Sequence, residues 1–110
     1  MFQANYPALA ALPRAHQALV ERRKLVDYVL CPTHNDGRHK ARVFRALLGI
    51  EQQHWEYFRE QLLDGLLEAT QANLKTTPHG ILGEVLMPIE GLNESRQIVT
   101  TVWEIHDERP

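Results

Sequence analysis

The feature that most constrains this chain is a change of hydrophobic period near residue 78. Upstream, apolar side chains recur at steps of three and four; downstream they alternate. The first spacing lines one face of a helix and the second lines one face of a strand. Helices therefore precede strands, which predicts an α+β fold with N-terminal helices packed on a small C-terminal antiparallel sheet.

The spacing of Leu19, Val20, Leu25, Tyr28 and Val29 predicts a helix over about 14–30, ending before Pro32; its first part reads equally as a short strand through Ala18, Leu19 and Val20. A second helix, 38–48, turns Ala41, Phe44 and Leu48 inward with Val43 and Leu47 alongside. It leaves Arg38, Arg42 and Arg45 outward, and Gly49 is its natural C-terminal cap. A third, 51–72, carries the stripe Trp55, Phe58, Leu62, Leu66 and Ala69. Gly65 within it costs about 1 kcal/mol relative to alanine, which marks a kink or a close packing contact. Between the first two helices, residues 31–37 have turn chemistry: Pro32 cannot continue a helix, Asn35 and Asp36 tolerate left-handed backbone, and Gly37 permits positive φ.

Residues 76–80, Thr-Thr-Pro-His-Gly, end the helical pattern, and strands follow over about 81–90 and 97–106. In the second strand Val99, Thr101, Trp103 and Ile105 share the buried face. Two strands make a marginal sheet, so a third from 16–20, a partner chain or further sequence is expected to complete it. Residues 1–13, with Pro7 and Pro13, read as a lead-in segment with a helical turn over 8–12, leaving 14–110 as a single α+β domain.

A chain of 110 residues buries a core of its own without metal or disulfide support. No apolar run approaches the roughly 20 residues of a membrane helix, so no membrane partner is expected. The single Cys31 has no internal disulfide partner and the N-terminus carries no secretory pattern, so a reducing cytoplasm is the expected location. The net charge of −2 is unevenly spread. Residues 14–45 hold eight Lys/Arg against three acids, a local +5, and the remainder carries −7. Such asymmetry offers a phosphate-binding face on an acidic body, and it equally describes solvated helix faces.

The candidate chemistry centres on the turn. RNA cleavage without metal needs a base for the 2′-hydroxyl proton, donors for the phosphorane oxygens and an acid for the leaving oxygen. His34, His39 and Lys40 beside Arg38 and Arg42 suit those tasks near neutral pH, with backbone amides at the start of the second helix adding an anion site. A metal reading draws on Cys31, His34 and His39, but the order is irregular for zinc and imports a fourth ligand from His54, His79 or Asp36. Cys31 by itself reads as a small buried filler. His16, His54, His79 and His106 show no partnering pattern. No metal or cofactor is expected.

Leu12-Pro13, Arg23-Lys24-Leu25 with Tyr28 and Leu30, His34, the block Gly37 to Phe44, Leu48-Gly49, and Val99 with Thr101-Val102-Trp103 carry a resemblance. Over 12–110 the chain resembles an uncharacterised family of small bacterial proteins, a domain of unknown function whose members occur alone or as toxin-like C-terminal modules. The pattern is similar to the barnase, EndoU, colicin and RelE group of metal-independent ribonucleases. The resemblance implies a toxin-type endoribonuclease with His34 as general base or acid, Lys40 and Arg38 on the scissile phosphate, and Thr101 donating a hydrogen bond. His39 and Arg42 would assist in holding phosphate. It further implies RNA as substrate and a neutralising antitoxin or immunity protein as partner. Two departures stand out: Thr100 occupies a position where the family commonly has arginine, and the family continues past Arg109-Pro110 into a further strand. The alternative is a non-catalytic module binding protein or nucleic acid through the same face, with pairing of sheet edges as a homodimer.

Overall fold

A computed structural model describes residues 2–5, 8–9, 12–13, 18–78 and 80–106. Strand β1 (Phe2–Asn5) precedes a two-stranded pair, β2 (Ala8–Leu9) and β3 (Leu12–Pro13). The helical turn expected over 8–12 is thus replaced by two short extended pieces. The first helix is shorter than its apolar spacing predicts. It begins as α1 (Arg22–Lys24) and widens into a π-helical stretch over Leu25–Val29, where the Leu30 amide reaches back to the Leu25 carbonyl at 2.8 Å. Widening the turn places Leu25, Val29 and the following Leu30 together in the core. Residues 18–20 are not helical; Leu19 makes an isolated bridge, closer to the strand alternative.

Helix α2 (Arg38–Leu48) has the predicted bounds. Ala41 and Leu48 are buried and Phe44 is half-buried, whereas Val43 and Leu47 are exposed. Gly49 closes it in the left-handed conformation, φ 66°, with its amide on the Arg45 carbonyl. A 3₁₀ turn (Gln52–His54) leads into α3 (Trp55–Glu68), which buries Phe58, Leu62 and Leu66. The apolar spacing carries that helix on to residue 72, but Ala69 turns extended and the chain enters a new strand, β4 (Asn73–Thr77).

Strands β5 (Gly80–Glu90) and β6 (Arg96–His106) pair antiparallel from Ile81 opposite Ile105 to Glu90 opposite Arg96. β4 adds to β5 antiparallel, and β1 adds to β6 in parallel, giving the order β1-β6-β5-β4. The sheet is therefore completed by residues 73–77 and 2–5; of the strand expected over 16–20, residues 16 and 17 lie outside the described residues and 18–20 carry only the bridge at Leu19. β4 pairs only as far as Glu84, so Pro88 lies where β5 is an edge, a position that tolerates a missing N–H.

One sheet face carries Val85, Met87, Ile89, Thr101, Trp103 and Ile105, all buried. Against it lies α3, and Gly65 is a point of close approach: a Cβ there would meet Met87 Sδ at 2.6 Å. Phe44 of α2 meets Phe58 of α3 with ring centroids 4.9 Å apart. The opposite sheet face exposes Leu86 and Ile98. Among the described residues no helix is long and apolar enough to cross a membrane.

Candidate functional site

The turn between α1 and α2 is built around one imidazole. His34 Nδ1 accepts the backbone N–H groups of Asp36 and Gly37, each at 2.9 Å, and the His34 carbonyl accepts the Arg38 amide at 3.0 Å. The amides of Asp36, Gly37 and Arg38 are thereby used within the turn and are not open to an anion. An Nδ1 that accepts is unprotonated, so the neutral ring holds its proton on Nε2. The same device recurs at the start of the next helical segment, where His54 Nδ1 accepts the Glu51 amide at 3.0 Å.

Gly37 has φ −75°, and neither Asn35 nor Asp36 adopts positive φ, so the turn uses no left-handed residue. Its glycine serves close approach instead. A Cβ on Gly37 would stand 1.9 Å from the Tyr28 carbonyl oxygen, so only glycine lets the turn seat on the π-helical stretch.

Tyr28 draws two of the predicted residues together. The His34 ring lies 4.6 Å from the Tyr28 ring, tilted at 60°, and Lys40 Nζ stands 5.4 Å from the same ring centre. Lys40 also lines an open hollow of about 600 Å³ with Arg23, Lys24, Asp27, Tyr28 and Glu104. Thr101 is elsewhere. It is 3 % exposed, donates its hydroxyl to the Val85 carbonyl at 2.8 Å and accepts the Trp103 indole N–H at 2.8 Å. Its place on the core face of β6 seals it from solvent, and it lines neither hollow beside α2.

On the other flank of α2, Arg38, Arg42 and Arg45 line a hollow of about 340 Å³ with Glu51, Gln52 and Gln53. Their spacing of four and three places them on one helix face. Gln52 is anchored by its amide on the Val26 carbonyl at 2.6 Å, which fixes the hollow's far wall. Arg38 donates to the Asn35 carbonyl, and Arg42 lies 3.5 Å from His39 Nδ1. All three arginines, His39 and Lys40 are exposed, and none has an ion-pair partner among the described residues.

Cys31 is half-buried rather than a buried filler. Hydrogen bonds from the Thr33 side chain, at 3.4 Å, and from its backbone hold the thiol below its usual pKa range. Among the described residues no three His, Cys, Asp or Glu side chains group so as to hold a metal ion, so Cys31, His34 and His39 do not form the centre weighed from their spacing. His16, His79 and the side chain of His106 lie outside the described residues.

The model of one protein family matches residues 11–110. The chain belongs to that family, DUF6883, a domain of unknown function. The match covers the whole turn, α2, α3 and the sheet strands β4 to β6, so the arginine face and the His34 turn both lie inside the DUF6883 domain. No curated protein and no solved structure matches it. Sequence reasoning missed the pairing of Arg22 and Arg59 with Trp55, taken up below; Trp55 was visible only as part of a core stripe.

Proposed function

We propose that the DUF6883 domain binds nucleic acid, RNA first, through the exposed face of α2. The observation that carries this reading is the row Arg38, Arg42 and Arg45, which lines one hollow with no carboxylate within ion-pair reach of any of the three among the described residues. Guanidinium groups present planar forks that match phosphate oxygens, and cations without internal partners lose no ion pair when they take one. The body carries the opposite charge, so the field is local to this face.

Phosphodiester cleavage is a second reading, favoured by the convergence of His34 and Lys40 on Tyr28. In it, His34 works through Nε2, since Nδ1 is committed to the backbone, and Lys40 holds charge on the phosphate. Thr101 takes no part in either reading.

Incubation of the pure protein with labelled RNA, followed by native and denaturing gels, tests both. Retarded intact RNA supports binding, and shortened RNA whose production fails in His34→Ala and Lys40→Ala supports cleavage. Unretarded, intact RNA removes both.

A further inference from the structure

Beyond the α2 row, Arg22 and Arg59 converge on Trp55. The Arg22 guanidinium carbon stands 5.3 Å from the indole ring centre and that of Arg59 stands 4.8 Å from it. No more than about 10 Å therefore separates the two cations. Arg59 follows Trp55 by one helical turn on α3, and Arg22 opens α1, so two elements meet at this ring. Adjacent Arg23 pairs with Glu21 at 2.8 Å, whereas neither Arg22 nor Arg59 has an ion-pair partner among the described residues. This holds although Glu56 and Glu60 neighbour Arg59 on its helix.

Cations held over an indole lose freedom while keeping their N–H edges unpaired, which preorganises them for an oxyanion. Trp55 is joined through a short piece of chain to the hollow that the α2 arginines line. Gln53 lines that hollow and precedes Trp55 by two residues, about 7 Å of chain at most.

We propose that Arg22 and Arg59, seated together on Trp55, form a second phosphate subsite that takes a further phosphodiester of the strand held by the α2 arginines. The inference rests on the nucleic-acid reading above for its ligand, and on the Trp55 cluster for its place.

The chain has two tryptophans, and Trp103 is fully buried, so ligand-induced change in indole emission reports on Trp55. The experiment titrates a uridine oligonucleotide, and separately inorganic phosphate, into the wild-type protein, Arg22→Ala/Arg59→Ala, Arg22→Lys/Arg59→Lys and Arg42→Ala/Arg45→Ala, following emission and affinity across a salt series. The subsite predicts an emission change on saturation with the oligonucleotide. It predicts a fall in the slope of log K against log salt of about 1–2 for the Arg22/Arg59 alanine pair. The lysine pair keeps the slope but binds more weakly, and its measurement stands if the alanine pair does not fold. Unchanged Trp55 emission on saturation, or an unchanged slope in a folded alanine pair while Arg42→Ala/Arg45→Ala weakens binding, overturns the subsite alone. Absence of oligonucleotide binding to the wild type overturns the nucleic-acid reading and the shared strand with it. An emission response to inorganic phosphate only would assign the cluster to a free anion and likewise overturn the shared strand.

Discussion

Trp103 donates its indole N–H to the hydroxyl of Thr101, two residues back on the same strand, at 2.8 Å, and that hydroxyl in turn donates to the Val85 carbonyl on the neighbouring strand. One small side chain thus satisfies the largest buried ring and ties β6 to β5. Thr101→Val removes both bonds at nearly constant volume, at a cost of about 1–3 kcal/mol. Thermal denaturation should show a Tm loss of roughly 4–8 °C per kcal/mol, with Thr101→Ser recovering much of it. Wild-type stability in Thr101→Val together with lost RNA activity would return Thr101 to a functional role.

Gly37→Ala should be among the most damaging single changes in the turn. The new methyl would stand 1.9 Å from the Tyr28 carbonyl oxygen, which is backbone and has no rotamer to yield. Overpacking of this kind costs about 1–3 kcal/mol. Urea denaturation should place Gly37→Ala clearly below wild type, and an equal midpoint would show that the turn does not seat on Tyr28 as described.

His34→Ala leaves two amides without their acceptor, a loss comparable to removing a helix cap, about 0.5–2 kcal/mol. His34→Asn keeps a side-chain acceptor close to the same place and should regain part of that stability. The pair separates two roles of the ring: if His34 handles protons, RNA cleavage is absent in both variants, whereas stability differs between them.

The Thr33 contacts that acidify Cys31 set a direction for its reactivity. The thiolate is the nucleophile, so the alkylation rate of native Cys31 should reach half its plateau at lower pH than that of the urea-unfolded chain. Thr33→Val removes the first of those hydrogen bonds and should move the midpoint upward. Coincident profiles for folded, unfolded and Thr33→Val protein would contradict the assignment.

The switch from a period of three and four to a period of two made the α+β order legible, and the Ala41, Phe44, Leu48 stripe fixed α2 within its observed bounds. Alternation along β6 put Thr101 on the Trp103 face, so its burial was already written in the sequence and conflicted with the surface role that resemblance implied. Three things were not legible. Leu25–Val29 is π-helical, and apolar spacing does not resolve a widened turn. Ala69 and Ala72 continue the apolar spacing of α3 yet lie outside the helix, because Ala69 is extended and the following β4 gains a partner in β5. The parallel pairing of β1 with β6 likewise joins opposite ends of the chain. At the site, clustered arginines were visible as charge, but which of them share a hollow and which sit on Trp55 depends on how α1, α2 and α3 meet.

The most direct test of the account is the salt dependence of RNA binding by wild type and by Arg42→Glu/Arg45→Glu, which changes two exposed residues. Each phosphate contact contributes about −0.7 to the slope of log K against log salt for a single strand. The account predicts measurable wild-type affinity that falls linearly with log salt, and loss of that affinity in the charge-reversed variant at unchanged Tm. Equal binding by the two proteins, or wild-type binding that is indifferent to salt, would contradict it.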